Sequence, residues 1–205
     1  MGLTLWLVPN ETEAQKLEAI MAIRPQAGTL INTSEASYPR FDPHVTLAAL
    51  PRDPEPTLEG IQLALPVLSA PLNVVFDSIE IGDHYFRSVY AAVRPSPDLL
   101  ALHGHIHQHL NISSPRTPKF PHLSLCYITD DHAATGERTR YYDALSTRTR
   151  TVDDRVRIDC SRDKPAEEAQ DWLAGLQMVE IWVVRCDGPV ETWVIEKKIP
   201  LQIES

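Results

Sequence analysis

Two short segments of this 205-residue chain place a histidine two positions before a hydroxyl residue. His44 precedes Thr46 in the run Pro-His-Val-Thr-Leu, and His122 precedes Ser124 in the run Pro-His-Leu-Ser-Leu. Residues two apart on a β-strand point to the same face, so each pair presents an imidazole and a hydroxyl together. Imidazoles gain and lose protons near neutral pH, and hydroxyls donate hydrogen bonds to developing negative charge.

Hydrolysis of a phosphodiester needs these groups. One imidazole takes a proton from water, the other gives one to the leaving oxygen, and the hydroxyls stabilise the phosphoryl oxygens. A single His-x-Thr on a strand is ordinarily structural, but two at matching places favour catalysis. We therefore predict that His44 and His122 are catalytic. The sequence does not decide which is the acid and which is the base, and our working assignment is His122 as the base and His44 as the acid. Thr46 and Ser124 are predicted to bind phosphate.

The elements that must position these pairs follow the same order in both halves of the chain. Each half has a strand ending near proline, an amphipathic helix, a polar loop, a strand with the histidine, a helix and a further strand. This repeat predicts a bilobal, duplicated α+β fold. We expect two antiparallel sheets with flanking helices around a central cleft, a pseudo-twofold axis, and a single domain over residues 1–205.

Hydrophobic periodicity and turn residues set the expected bounds of the elements. The predicted helices are Glu11–Ile23, Thr57–Leu65, Pro97–Leu110 and Asp131–Leu145. The predicted strands are Leu3–Val8, His44–Leu50, Leu72–Ile81, Phe86–Val93, Pro121–Ile128, Arg150–Cys160, Leu176–Arg185 and Val190–Leu201. Gly82-Asp83 is expected to form the turn between the third and fourth strands, and Ser161–Gly175 reads as a charged insertion.

With both motifs in place, the chain resembles the 2H phosphoesterase superfamily, and within it the plant and fungal 2′,3′-cyclic nucleotide phosphodiesterases. The resemblance extends over nearly the whole chain. It includes segments outside the two histidine motifs: Trp6 with Pro9, Pro39-Arg40-Phe41, Tyr127 and Glu191-Thr192-Trp193.

This resemblance implies hydrolysis of nucleoside 2′,3′-cyclic phosphates to 2′-phosphates, and of ADP-ribose 1″,2″-cyclic phosphate, a tRNA-splicing by-product, to ADP-ribose 1″-phosphate. It implies no cofactor and no metal. It adds Tyr127 as a phosphate-binding residue, and Trp6 and Phe86 as rings that stack on the base. Three alternatives stay open: Tyr127 or Trp6 packs in the core, or Tyr85 rather than Phe86 faces the ligand.

Composition limits the function classes. A net charge of −9 is unsuited to coating long nucleic acid, which needs a basic surface. We expect a small nucleotide cyclic phosphate as the partner, no membrane association, and a cytoplasmic monomer. We also expect free thiols at Cys126, Cys160 and Cys186, with a Cys160–Cys186 bridge as the alternative. Two other functions stay open: an RNA-end processing 2H enzyme, or a non-catalytic nucleotide- or RNA-binding module.

Four alternating histidines offer the other candidate chemistry. They are His103, His105, His107 and His109. On a strand they would line one face and suggest a metal site, but the surrounding apolar residues follow a helical period that scatters them to two sides. We therefore predict no functional metal site there.

Overall fold

The computed structural model describes residues 2–25, 37–112, 120–161 and 171–204. In these ranges the helices are α1 Glu11–Met21, α2 Leu58–Leu63, α3 Pro97–His109, α4 Asp130–Ala134 and α5 Glu137–Ser146, with a 3₁₀ turn at Val190–Thr192. The strands are β1 Leu3–Pro9, β2 Val45–Ala49, β3 Leu72–His84, β4 Arg87–Val93, β5 His122–Cys126, β6 Thr149–Val152, β7 Arg155–Asp159, β8 Trp172–Leu173, β9 Gly175–Arg185 and β10 Val194–Pro200.

The strands form two antiparallel sheets. The larger has seven strands in the order β1-β2-β5-β4-β3-β9-β10, and β9 also pairs with β1. Because β9 pairs with β1, six strands form a closed ring in the order β1-β2-β5-β4-β3-β9, and β10 lies outside it. The smaller sheet has the order β6-β7-β8. The predicted α+β fold with two antiparallel sheets and flanking helices is confirmed, and the histidine-bearing strands of both halves share the larger sheet.

The register of the larger sheet repeats between the two halves. Trp6 lies opposite Thr46, and Tyr90 lies opposite Ser124. Equivalent residues differ by 84 between β1 and β4 (6 to 90) and by 78 between β2 and β5 (46 to 124). Both ladders have an irregular step just before these pairs. The Val45–Leu123 pair, which joins β2 to β5, has the same offset of 78, so the pseudo-twofold axis passes through it.

Helix caps and an alternating strand pattern position these ladders. Asn10 Oδ1 caps α1 and Ser96 Oγ caps α3, each accepting a backbone N–H three residues later. On β1, the leucines join the main hydrophobic core that also contains Leu17 of α1. Trp6 lies in a second, smaller cluster with Trp182. Because β1 has different neighbours on its two faces, Trp6 is directed away from the main core.

Three predicted elements differ from the structure. The single helix Asp131–Leu145 is wrong: α4 and α5 are separate helices, because Gly136 adopts a left-handed backbone with φ of 84°. The single strand Arg150–Cys160 is wrong as well, because it is the β6–β7 hairpin. Asp153 and Asp154, both at positive φ, form its turn. Val190 begins a 3₁₀ turn and not a strand.

The β3–β4 turn and the charged insertion also differ from expectation in detail. The turn expected at Gly82-Asp83 lies later, because β3 continues to His84 and β4 begins at Arg87. Phe86 is therefore a turn residue and not a strand residue. Of the insertion expected at Ser161–Gly175, residues 162–170 lie outside the described part of the chain, and Trp172–Leu173 forms β8.

Candidate active site

A cavity of about 250 Å³ opens between the strands that carry the two histidine motifs. It contains all seven residues that the sequence predicted for the site. Its lining residues are Thr4, Trp6, His44, Thr46, Ala49, His84, Phe86, Arg87, His122, Ser124, Tyr127, Cys186 and Trp193.

His44 is held tightly from two directions. Its ring stacks on the indole of Trp6, with centroids 3.7 Å apart and planes 4° apart. Its Nδ1 lies 2.7 Å from the backbone carbonyl of Asp42. A carbonyl oxygen only accepts hydrogen bonds, so Nδ1 is the donor, and Nε2 of the neutral ring is left as an acceptor. This fixes both the orientation and the tautomer of the imidazole.

The same surroundings keep His44 uncharged. Its side chain is almost completely buried, with the residue 6% exposed. Burial lowers the pKa of His44 to about 4, the Asp42 carbonyl opposes the shift, and the charge of His122 adds to it. His44 is therefore a neutral imidazole at physiological pH, and the state available to it is that of a proton acceptor.

The second motif has the same layout with different neighbours. The ring of Tyr90, which is equivalent to Trp6, meets His122 edge-on at 5.4 Å instead of stacking on it. The Tyr90 hydroxyl donates to Glu80. Burial and then Glu80 raise the pKa of Tyr90 to about 12. Ser124 Oγ donates to the carbonyl of Phe86 at 2.8 Å, which ties β5 to the β3–β4 turn.

Tyr127 reaches the cavity because β5 ends one residue before it. Strict alternation would send this ring to the opposite face, and the strand end removes that constraint. The ring stacks on Phe41 at 4.0 Å and meets Phe86 edge-on at 5.4 Å. Burial raises the pKa of Tyr127 well above its usual range. Its hydroxyl is protonated at neutral pH and available as a donor near Ser124.

The two rings predicted to stack on a base have different environments. Trp6 lines the cavity, but one face is covered by His44 and the residue is only 3% exposed. Phe86 lies in the β3–β4 turn and faces Trp193 at 5.7 Å, with planes 35° apart. Tyr85 does not line the cavity. Phe86 and Trp193 thus form the more accessible aromatic pair.

Six of the lining residues were not predicted as site residues, and two of them, Trp193 and Arg87, bring an aromatic face and a charge to the cavity. Trp193 was noted only as part of the family-like segment Glu191-Thr192-Trp193, and Arg87 was not singled out. Gly82 brings Arg87 close to β3, because a Cβ on Gly82 would lie 1.9 Å from the Arg87 carbonyl oxygen. This close approach depends on tertiary structure, and Gly82 is the only sequence feature that indicates it.

The remaining candidates from sequence lie elsewhere or are inert. All three cysteines are free, buried thiols, and Cys186 alone lines the cavity. Along α3, the rings of His105 and His109 stack on each other, and those of His103 and His107 are in contact with their planes tilted by 33°. Within the described ranges, no group of three or more His, Cys, Asp or Glu residues is arranged to hold a metal ion.

No described helix has the length and apolarity needed to cross a membrane.

Comparison with known proteins gives the family of the chain. The model of the cyclic phosphodiesterase-like protein family matches residues 1–201. The chain belongs to this family. The class that fold and family define is that of the cyclic phosphodiesterases of the 2H type, which are hydrolases.

Particular relatives narrow the class. The chain is 28% identical to a 2′,3′-cyclic-nucleotide 3′-phosphodiesterase of Kluyveromyces lactis, over 97% of this chain and 98% of the relative. It is 28% identical to a cyclic phosphodiesterase of Arabidopsis thaliana, over 67% of this chain and 72% of the relative.

Solved structures support the fold. LigT of E. coli, complexed with NADP+, matches with a TM-score of 0.52 at 14% identity, covering 98% of this chain and 97% of the other. A protein of Thermus thermophilus matches with a TM-score of 0.50 at 16% identity and full coverage of both chains.

Proposed function

We propose that the cavity hydrolyses nucleoside 2′,3′-cyclic phosphates to nucleoside 2′-phosphates through His44 and His122, without a metal ion. The observation that carries this proposal is the convergence of two His-x-hydroxyl pairs on one cavity about a pseudo-twofold axis. The name of the Kluyveromyces lactis relative, a 3′-phosphodiesterase, supports cleavage of the bond to the 3′ oxygen.

The roles of the two histidines reverse the expectation from sequence. Neutral His44, with Nε2 as its acceptor, takes the proton from the attacking water. The water oxygen bonds to phosphorus while the bond from phosphorus to the 3′ oxygen breaks, in line with the attack. Protonated His122 gives its proton to that 3′ oxygen. The product is a 2′-phosphate, and proton exchange with solvent restores both imidazoles.

Hydroxyl groups stabilise the charge that develops on the phosphoryl oxygens. Thr46 and Ser124 occupy equivalent places on either side of the axis, and the protonated Tyr127 lies beside Ser124. Ser124 is bonded to the Phe86 carbonyl in the unliganded cavity. It must turn its proton toward the phosphoryl group when substrate binds. Donors positioned in a cavity of low polarity are the usual means of such stabilisation.

The substrate is a small molecule in this proposal. A cavity of about 250 Å³ on an acidic protein suits a single nucleotide better than long RNA. Phe86 and Trp193 would hold the base by stacking, which does not read its identity. The family resemblance supports the same chemistry on ADP-ribose 1″,2″-cyclic phosphate and a link to tRNA splicing. The monomeric state and the cytoplasmic location stay predictions.

The test is product analysis in the presence of EDTA. We expect the protein to convert adenosine 2′,3′-cyclic phosphate to adenosine 2′-phosphate, identified by chromatography against authentic 2′- and 3′-phosphates. Activity lost to the chelator and restored by added metal would reject the mechanism. A dominant 3′-phosphate would reject the orientation. Turnover of cyclic-phosphate-ended oligonucleotides alone would favour the RNA-end processing alternative, and binding without turnover the non-catalytic module.

A further inference from the structure

Arg87 is a buried cation at the edge of the cavity whose charge the two-histidine reaction does not use. Its side chain is 6% exposed. One nitrogen, Nη2, pairs with Asp83 Oδ1 at 2.8 Å. Its Nε and Nη1 are buried and have no hydrogen-bond partner among the described residues. Buried donors are satisfied in nearly all native structures, so an unsatisfied pair beside a cavity points to a missing ligand.

A second arginine shows what the usual arrangement looks like. Arg138 also pairs with one exposed aspartate, Asp130, at 2.9 Å, and is 11% exposed. Its Nη1 and Nη2 additionally lie 3.4 Å from the carbonyl oxygens of Gly82 and Ile128, and only its Nε lacks a partner in the described ranges. Arg138 does not line the cavity. The difference is that no carbonyl oxygen of the described residues accepts a hydrogen bond from Arg87 Nε or Nη1.

The position of Arg87 relative to the pseudo-twofold axis indicates which group it serves. In the proposed function, the reacting phosphoryl group lies between equivalent histidines and equivalent hydroxyls. By the offset of 84, the counterpart of Arg87 is Leu3, a buried core residue. Arg87 is also the only arginine or lysine among the described residues that line the cavity. Its charge therefore belongs to one side of the site, off the axis.

Neighbouring groups extend this side of the cavity. The Arg87 guanidinium carbon lies 5.5 Å from the centre of the Tyr90 ring, whose edge meets His122. His84 Nδ1 accepts the backbone N–H of Phe86 at 3.2 Å, so the neutral ring presents Nε2–H as a donor. Arg87, His84 and Phe86 together offer donors and an aromatic face. That combination recognises a phosphate attached to a nucleoside.

We propose that Arg87 binds a second phosphate of the substrate, distinct from the cyclic phosphate that reacts, and so makes the enzyme prefer nucleotides that carry one. This rests on the proposed function, because the cyclic phosphate is taken to lie between His44 and His122. The guanidinium forms charge-assisted hydrogen bonds with the second phosphate, and these bonds are stronger than neutral ones. The substrate class is that of 2′,3′-cyclic phosphates bearing a 5′-phosphate or diphosphate.

The experiment compares two substrates that differ in one group: adenosine 2′,3′-cyclic phosphate, and the same compound with a 5′-phosphate. For the wild type we expect kcat/KM to be about tenfold higher for the phosphorylated substrate. Arg87→Gln should abolish this preference and leave kcat/KM for the unphosphorylated substrate within about threefold. Arg138→Gln is the matched control and should keep the preference.

Three results would overturn the proposal: no preference in the wild type, a preference that survives Arg87→Gln, or an equal loss on both substrates. The last would place Arg87 on the reacting phosphoryl group. Arg87→Lys, which retains the charge, should keep part of the preference and serves if the glutamine variant does not fold.

A binding experiment distinguishes failure of the second-phosphate site from failure of the proposed function. Calorimetry compares adenosine 2′,5′-bisphosphate with adenosine 2′-phosphate, and neither needs turnover. Tighter binding of the bisphosphate that depends on Arg87, in a protein that hydrolyses neither substrate, would defeat the proposed function and retain the phosphate site. Equal binding of the two compounds would defeat the site even in an active enzyme.

Discussion

The two halves of the molecule share one register and differ in how they hold their histidines. His44 lies flat against Trp6 and is tied to the Asp42 carbonyl, whereas the ring edge of Tyr90 touches a half-buried His122. Duplication supplies two imidazoles, but an acid/base reaction needs them in different protonation states. In the proposed mechanism, the neighbours of each histidine, and not the motif itself, therefore divide the roles.

The second difference is electrostatic. The cavity side near β4 carries a buried arginine, and the equivalent place in β1 is a core leucine. A symmetric fold thus has an asymmetric cavity. A cyclic phosphate can open in two ways, and only contacts off the axis select one of them. In this account Phe86 and Trp193 orient the nucleoside, and Arg87 adds a contact only to a substrate that carries a second phosphate.

The largest expected effect comes from removing either imidazole. His44→Ala and His122→Ala should each lower kcat by roughly 10² to 10⁴, the usual contribution of a positioned acid or base. The melting temperature of each variant is measured in parallel to show that it remains folded in the assay, because His44→Ala also removes a buried ring that stacks on Trp6. His109→Ala, an exposed histidine on α3, is the control. Full activity in either cavity variant would contradict the two-histidine mechanism.

Loss of a hydroxyl should have a smaller effect. Thr46→Ala and Ser124→Ala should lower kcat by roughly 10- to 10³-fold, because each removes one donor to the phosphoryl oxygens. Thr46→Ser and Ser124→Thr retain the hydroxyl and should retain most activity. Steady-state kinetics on adenosine 2′,3′-cyclic phosphate measure all four. If the alanine variants match the conservative ones, the hydroxyls do not bind the phosphoryl group.

Substitutions of Phe86 and Trp6 should affect different kinetic constants. Phe86→Ala should raise KM roughly tenfold with little change in kcat, because it removes a stacking platform for the base. Trp6→Leu should mainly lower kcat, because it uncovers one face of His44 and loosens its orientation. A similar rise in KM for both variants would restore Trp6 to the base-stacking role expected from sequence.

The pH dependence should show the buried state of His44. Its folded pKa of about 4 lies below the ordinary value of 6.5, so the neutral base is present above about pH 4. The acidic limb of the profile of kcat/KM should therefore lie well below pH 6.5, and Trp6→Leu should move it upward. If the acidic limb lies at the same pH in the wild type and in Trp6→Leu, packing against Trp6 does not lower the pKa of His44.

The same shift links His44 to stability. The unfolded chain holds the proton more tightly than the folded one between about pH 4 and 6.5, so stability is lost as pH falls through that window. The contribution of this one residue is about 3 kcal/mol. Chemical denaturation at about pH 7 and about pH 4.5 measures it, and His44→Ala should reduce the difference between the two.

Local sequence signals predicted much of the fold. The helix expected at Glu11–Ile23 is observed at Glu11–Met21, because a capping asparagine and a periodic apolar face define it. The repeat placed both histidine motifs correctly. The β6–β7 hairpin was not predicted, because two aspartates form its turn without glycine or proline and the flanking residues read as one alternating strand.

The four motif residues of the candidate site were predicted from the repeat, and Trp6, Phe86 and Tyr127 from the family resemblance. Trp193 reaches the cavity from a 3₁₀ turn near the chain end, and Arg87 reaches it through a backbone approach at Gly82. The acid/base roles that we propose differ from the working assignment from sequence for a similar reason. Stacking on Trp6 and the bond to Asp42 depend on loop and strand geometry that periodicity does not encode.

A substrate whose leaving group needs no proton tests the division of roles most directly. In a 2′,3′-cyclic phosphate with sulfur in place of the 3′ oxygen, the departing thiolate is stable near neutral pH. We predict that this substrate restores most of the lost activity to His122→Ala, which lacks the acid, and none to His44→Ala, which lacks the base. Rescue of His44→Ala instead of His122→Ala would contradict the account.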